Sequence, residues 1–208
     1  LRIDVPGSQQ TDEALESYLT GSSFQSNVYL MNPSGAFWNY SNPNFYLAGL
    51  VTEKASGKHY REFMQSTVFD PLGMNRTFFV PDDVLADGDY AFGKNDGYAD
   101  LDDLIATDSY ENAWGRPAGY ATSNVLDMAK FVTFLIDGND AVLSDELRAE
   151  LSAKQIDMHT FYDLQSYGFA LFVDDFAVAG DDWYDVQIVS HGGDIPGFAA
   201  DIMYVPST

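Results

Sequence analysis

The sequence predicts an α+β fold, with helices first and antiparallel strands after them. Up to about residue 158 the apolar residues recur at helical spacing, punctuated by Pro, Gly and Ser. After about residue 160 they alternate, and the alternating runs are separated by turns bearing Gly and Asp. Helices followed by a meander of strands form an α+β arrangement, distinct from the alternating units of a parallel sheet. The chain carries no internal repeat and no low-complexity tract.

The elements follow in order. Thr11 to Thr20 reads as a short helix, with Thr11 as N-cap and Asp12 and Glu13 in its first turn. Residues 21 to 36 are rich in Ser, Asn and Gly and read as loop. Asn42-Pro43 opens a clear helix, because Pro is favourable at a first helical position where its missing N–H had no partner. Phe45, Ala48, Leu50 and Val51 give that helix a buried stripe, and Gly57 stops it. Tyr60, Phe63, Met64 and Val68 recur at helical spacing up to the turn Asp70-Pro71-Leu72-Gly73-Met74. Residues 81 to 118 hold many Asp and Gly and read as a long irregular stretch. Ser123 caps the next helix, in which Val125, Met128, Phe131, Val132, Leu135 and Ile136 face inward and Gly138 ends the run. Ser144-Asp-Glu opens another helix, carrying Leu147 and Leu151. Three strand-like runs close the chain: Tyr167, Phe169, Leu171 and Val173; then Val186, Ile188 and Ser190; then Phe198 to Val205.

Composition narrows the function. The 208 residues suit one domain, or a domain with two lobes, and 46% hydrophobic content is enough for a packed core. With 32 acidic and 10 basic residues the net charge is -22, which argues against a nucleic-acid partner and against an anionic membrane surface. No apolar run is long enough to span a bilayer. The absence of Cys removes disulfides, thiol catalysis and zinc–thiolate sites. No metal site and no cofactor are expected. The Asp-rich stretch from Asp82 to Asp103 fails the calcium-loop pattern, because Phe92 and Lys94 fall on ligand positions before Gly97. It reads as a solvated acidic loop, and the pairs Asp82-Asp83, Asp102-Asp103 and Asp174-Asp175 read as ordinary surface. His59 and His159 read as surface or packing residues.

Two short polar motifs stand out. Tyr40-Ser41-Asn42 sits at a helix start, and His191-Gly192-Gly193 closes a strand. A Tyr before a helix is usually a packing residue with a wet hydroxyl, and a His at a strand end is usually structural. The two glycines alter the balance, since they let a backbone approach a ligand closely. Acyl transfer needs a nucleophile, a base to take its proton, and donors for the developing oxyanion. A phenol with a pKa of about 10 serves as that base only where nearby cations stabilise the phenolate.

In this order the motifs resemble the second and third motifs of the penicillin-recognising serine hydrolases. The stretch Phe37 to Gly57 resembles the family's Tyr-x-Asn motif and its following helix. Tyr60-Arg-Glu-Phe-Met, Phe69-Asp-Pro-Leu-Gly-Met-Asn-Arg-Thr and Ala118-Gly-Tyr-Ala-Thr-Ser-Asn-Val-Leu-Asp-Met-Ala-Lys-Phe continue the match. His191-Gly-Gly-Asp-Ile-Pro-Gly-Phe occupies the place of the Lys-Thr-Gly strand. The likeness is greatest to class C β-lactamases and the esterases and D-peptidases related to them.

The resemblance implies a β-lactamase/transpeptidase-like fold and acyl-enzyme chemistry on amides or esters: a β-lactam, a D-amino-acid peptide or a small ester. It implies that Tyr40 is the base and that Asn42 bonds the motif Lys and the substrate amide. It further implies that His191 lines the pocket, presenting a donor to Tyr40 or to a substrate carboxylate. Gly192 and Gly193 would line the substrate's edge, and the backbone N–H of Asp194 would be an oxyanion donor. All of this requires the Tyr40 and His191 rings to meet at one cleft rim.

The chain departs from the family pattern twice. His replaces Lys in the third motif; a mostly neutral imidazole favours a phenolate or a carboxylate less than an ammonium would, which lowers the expectation of strong β-lactam hydrolysis. The first motif, Ser-x-x-Lys, is absent. The residues three before Lys54, Lys58, Lys94, Lys130 and Lys154 are Val51, Ala55, Ala91, Asp127 and Leu151. There is no Gly-x-Ser-x-Gly elbow either.

The expectation is therefore a partial catalytic domain, incomplete at both ends and inactive alone. Residues 1–158 would form a mainly helical lobe carrying Tyr-x-Asn, and residues 159–208 the strands carrying His-Gly-Gly. The alternative is a non-catalytic binding or assembly module on the same scaffold. Open sheet edges would favour a homo-oligomer. By resemblance alone the compartment is periplasmic or extracellular.

Overall fold

The structure, a computed structural model, describes residues 9–93, 113–159, 165–195 and 197–206. Lys94, Gly97 and Asp102-Asp103 of the acidic stretch lie outside the described residues. The described helices and strands are of α+β type, and the chain forms two compact units. One comprises Leu1–Tyr29, Ser41–Asp127 and Asp194–Ala199; the other comprises Leu30–Tyr40, Met128–Gly193 and Ala200–Thr208.

The first unit is helical. Helix α1 (Ala14–Thr20) begins later than its sequence suggests, and no side chain caps it. Asp12 is drawn instead to two guanidinium groups. Arg61 donates to it through Nε (2.7 and 2.9 Å) and Nη2 (2.7 Å), and Arg116 through Nη1 (2.7 Å). Charged, bidentate bonds of this kind outweigh a single capping bond. Desolvation pushes the Asp12 carboxyl upward, but the hydrogen bonds and charges of Arg61 and Arg116 outweigh it and hold it below its ordinary value.

The stretch read as loop contains helix α2 (Ser22–Asn27). Ser26 Oγ and Asn27 Nδ2 donate to the carbonyls four residues back, at 2.6 and 2.7 Å, while Phe24 is buried. Helical backbone that anchors a core ring overrides weak propensity here.

Helix α3 (Asn42–Ser56) starts at Asn42-Pro43 and stops at Gly57, which takes φ 70° in the left-handed region. Its buried face differs from the expected stripe. Tyr46 and Gly49 are buried, whereas Ala48 and Val51 are exposed. The cause is a cluster built on Leu15, Leu19, Phe24 and Tyr46, against which Tyr18, Leu50, Trp114 and Ala118 pack. Trp114 stacks on Tyr18 at 4.1 Å and meets Tyr46 edge-on at 5.2 Å. Gly49 lets Pro117 come so close that a Cβ there would sit 2.2 Å from its Cγ.

Helix α4 (Tyr60–Met64) widens into a π-turn over Gln65–Phe69 before α5 (Asp70–Leu72) ends at Gly73. Pro71 lacks an N–H and its ring crowds the carbonyl of Thr67, four residues back, so the ladder adjusts at that turn. Within the stretch read as irregular, α6 (Pro81–Asp87) forms with Asp82 and Asp83 in its first turn, where carboxylates are favoured. A short 3₁₀ helix follows at Ala113–Ala118.

Helix α7 (Val125–Asp137) is capped by Asn124 rather than Ser123. Asn124 Oδ1 accepts from the N–H of Leu126 and Asp127 at 2.9 and 3.0 Å, while the Ser123 hydroxyl pairs with Thr77. Leu135 is buried as its sequence predicts, but Val125 sits in the first turn and is 80% exposed, and Phe134 is buried in addition.

In the second unit, α8 (Asp145–Leu151) is capped by Ser144, as its sequence predicts. A five-stranded sheet runs in chain order through β1 (Ile156–Asp157), β2 (Gln165–Tyr167), β3 (Phe172–Asp174), β6 (Ile188–Ile195) and β7 (Phe198–Tyr204). A separate hairpin, β4 (Ala177–Ala179) and β5 (Asp182–Tyr184), interrupts the meander. Val173 and Val189 lie opposite each other across β3 and β6, both with zero exposure, and mark the core of the sheet.

Candidate active site

Tyr40 and His191 both belong to the second unit, and their ring centroids lie 6.4 Å apart at an interplanar angle of 33°. The sheet register sets the surroundings. Tyr167, the last residue of β2, pairs with Phe172 on β3, and Phe172 pairs with Ser190, the neighbour of His191 on β6. The β2–β3 turn is tight: Gly168 N–H donates to Leu171 O at 2.8 Å, and Ala170 takes φ 64°. Gly168 is obligatory, since a Cβ there would lie 2.4 Å from Leu151 O. The turn leaves Phe169 exposed while Tyr167, Leu171 and Val173 are buried.

The rings form a linked set. Phe172 stacks on His191 at 5.2 Å and meets Tyr167 edge-on at 5.0 Å. Trp38 lies 5.8 Å from Tyr167 and 6.4 Å from Tyr40. Tyr40 is 48% exposed, so its phenol borders solvent.

Both nitrogens of His191 are engaged. Nδ1 lies 2.7 Å from Gly192 O and Nε2 lies 3.1 Å from Tyr167 Oη. A carbonyl oxygen only accepts, so Nδ1 carries the hydrogen. In the neutral imidazole Nε2 is then bare and accepts from the Tyr167 hydroxyl. Burial, and secondarily the charge of an ionised Tyr40, pushes the Tyr167 phenol up to about 12, so it remains a donor throughout the neutral range. Both ring nitrogens are therefore engaged by groups other than Tyr40.

Neither Gly192 nor Gly193 has a positive φ. A Cβ on Gly193 would meet nothing within 4 Å, and one on Gly192 only Ala200 O at 3.6 Å and Asp201 Oδ1 at 3.9 Å. Both glycines are exposed. Internal crowding and backbone conformation thus leave glycine unexplained here, and its remaining physical effect is an open backbone edge. Asn42 and Asp194 fall in the first unit. Asn42 is the exposed first residue of α3, and Asp194 is exposed on β6.

Tyr167, Trp38 and Phe172 carry no site signal in the sequence beyond their aromatic character. The one hint is Gly168, a glycine inside a strand pattern, which marks a close backbone approach beside Tyr167.

The family described as Beta-lactamase matches residues 10–208. The chain belongs to the beta-lactamase family. Among solved structures, this beta-lactamase-family chain is similar to the octameric penicillin-binding protein homologue from Pyrococcus abyssi, with a TM-score of 0.74 and 22% identity over 97% of this chain and 42% of the other. It is also similar to the D-amino acid amidase from Ochrobactrum anthropi SV3, with a TM-score of 0.65 and 21% identity over 90% of this chain and 52% of the other. At those identities the likeness establishes a common fold. Among curated proteins it is 28% identical over 182 residues to the unguisins hydrolase ungD' of Aspergillus campestris, covering 84% of this chain and 32% of that protein. The chain thus spans about a third of that hydrolase and less than half of the Pyrococcus abyssi homologue.

Proposed function

We propose that this chain carries the Tyr-and-His part of an acyl-transfer site acting on an amide or ester bond. The observation that carries the proposal is the Tyr40 ring 6.4 Å from His191, beside the open Gly192–Gly193 edge. In this reading Tyr40 takes the proton of a serine nucleophile, Asn42 orients the substrate amide, and the backbone N–H of Asp194 stabilises the oxyanion. The similarity to an unguisins hydrolase supports hydrolysis, and that to a D-amino acid amidase supports an amide bond, with D-amino-acid peptides as a fitting substrate class.

The 208 residues contain no Ser-x-x-Lys, so this reading requires the nucleophile and its Lys to be supplied from outside them. Groups that act as a unit lose nearly all activity when the nucleophile is missing. The 208-residue chain is therefore expected to take no covalent label from a fluorescent penicillin or a fluorophosphonate. A stoichiometric adduct in the intact mass spectrum would overturn this inactivity. A coding sequence with Ser-x-x-Lys upstream of Leu1 would support the enzyme.

A second reading, a non-catalytic binding module on this scaffold, is favoured by one observation: both His191 nitrogens are already bonded within the chain. An upstream sequence without Ser-x-x-Lys would support the module. A periplasmic or extracellular setting fits either reading.

A further inference from the structure

We propose that Tyr167 is a positioning residue that acts through His191 to pin the Gly192–Gly193 peptide in one orientation. The bonds run in one direction. Tyr167 Oη–H donates to His191 Nε2 (3.1 Å), and His191 Nδ1–H donates to Gly192 O (2.7 Å). Each link requires the other: a hydrogen on Nδ1 leaves Nε2 as an acceptor, and a donor at Nε2 holds that tautomer.

The anchor end is rigid. Tyr167 is buried, its ring is held by Phe172 at 5.0 Å and by Trp38 at 5.8 Å, and the next residue, Gly168, lies close against the Leu151 carbonyl. The far end is the part that needs fixing. Gly192 and Gly193 are exposed and lie on β6 beyond its pairing with β3, which ends at Ser190, so β7 holds one side of them and no side chain of their own holds the other. Because a peptide is planar, fixing the Gly192 carbonyl also fixes the direction of the Gly193 N–H. The Gly192–Gly193 peptide is thereby held in a single orientation, one peptide before the Asp194 N–H.

The functional meaning of this pin rests on the reading of the Gly-Gly edge as a substrate edge. The hydrogen-bond chain itself does not depend on that reading, and its test needs no turnover. The full 208-residue chain, labelled with ¹⁵N, is examined by long-range ¹H–¹⁵N correlation at a pH above the ordinary imidazole range. The expected result is His191 protonated at Nδ1 and bare at Nε2. In Tyr167→Phe the ring packing is retained and only the hydroxyl is lost. Its expected signature is a displaced Nε2 resonance, a rising Nε2–H tautomer and lower order parameters at the Gly192 and Gly193 amides. Unchanged amide signals in α1 and α3 report that the variant is folded. A wild-type chain protonated at Nε2 overturns the proposal without any variant. So does a folded Tyr167→Phe whose His191 ring and Gly192–Gly193 amides are unchanged. Neither outcome bears on the covalent-labelling test of acyl transfer.

Discussion

Gly49→Ala sets two opposed effects against each other on α3, the helix that starts at Asn42. Alanine in a helix interior is favoured over glycine by roughly 1 kcal/mol. The new Cβ, however, would lie 2.2 Å from Pro117 Cγ, 2.6 Å from Pro117 Cβ and 3.5 Å from Leu15 Cδ2. Carbon atoms pack best at about 3.5–4.0 Å, so the overlap with the proline ring exceeds an ångström. The ring belongs to the 3₁₀ segment and cannot swing away as a flexible chain end would. Overpacking of this kind costs about 1–3 kcal/mol, and a rigid neighbour places it at the upper end. The net expectation is a loss of about 1–2 kcal/mol, which for a chain of this size lowers Tm by about 2–8 °C. Urea unfolding followed by circular dichroism measures it as a lower midpoint at unchanged slope. In a Pro117→Gly background both clashing ring carbons are gone, and the same Gly49→Ala substitution, measured against that background, is expected to be neutral or stabilising. A Gly49→Ala chain as stable as its parent would refute the packing argument, because propensity would then have won outright.

Three further outcomes are expected. Asp12→Asn removes the carboxylate shared by Arg61 and Arg116. Arg116 is deeply buried, but Arg61 is 37% exposed, so the loss in urea unfolding should be about 2–4 kcal/mol, below the full range for a buried pair. Because the folded-state pKa of Asp12 is depressed, its contribution is present above the ordinary value of 3.8 and disappears as pH falls through the lower folded value; Asp12→Asn should flatten that acid limb, and an unchanged limb would contradict the pairing. At the alkaline end, burial raises Tyr60 and Tyr167 from 10.0 to about 12, so their contribution is present below pH 10.0 and lost as pH climbs toward 12; Tyr60→Phe should flatten the fall in stability across that window, and a parallel fall in parent and variant would count against it. Finally, β7 ends the described sheet with Met203 60% exposed, and the strand is followed directly by Val205 at 48%, an edge suited to pairing with a second copy. Light scattering should report self-association that Met203→Lys weakens, and a strict monomer at high protein concentration would exclude it.

Much of the site's vocabulary was legible in the sequence, and less of its grammar. Asn42-Pro43 and Gly57 mark the ends of α3 because a missing N–H and a left-handed φ are local matters. Ser144 caps α8 for the same reason. The buried face of α3 was not legible, because Trp114 and Pro117, which choose Tyr46 and Gly49, come from a distant segment. Asp12 reads as a first-turn acid until two guanidinium groups from elsewhere in the chain claim it.

The sequence by itself determined the α+β class, the family, and the residues Tyr40, His191, Gly192 and Gly193 as a candidate set, since these rest on spacing, residue chemistry and motif order. Only the tertiary structure decided what His191 does with its nitrogens. The partner at Nε2 is Tyr167, brought there by strand register and a tight turn rather than by proximity along the chain. A hydrogen bond depends on positions a few tenths of an ångström apart, and such positions are set by packing that no single segment encodes.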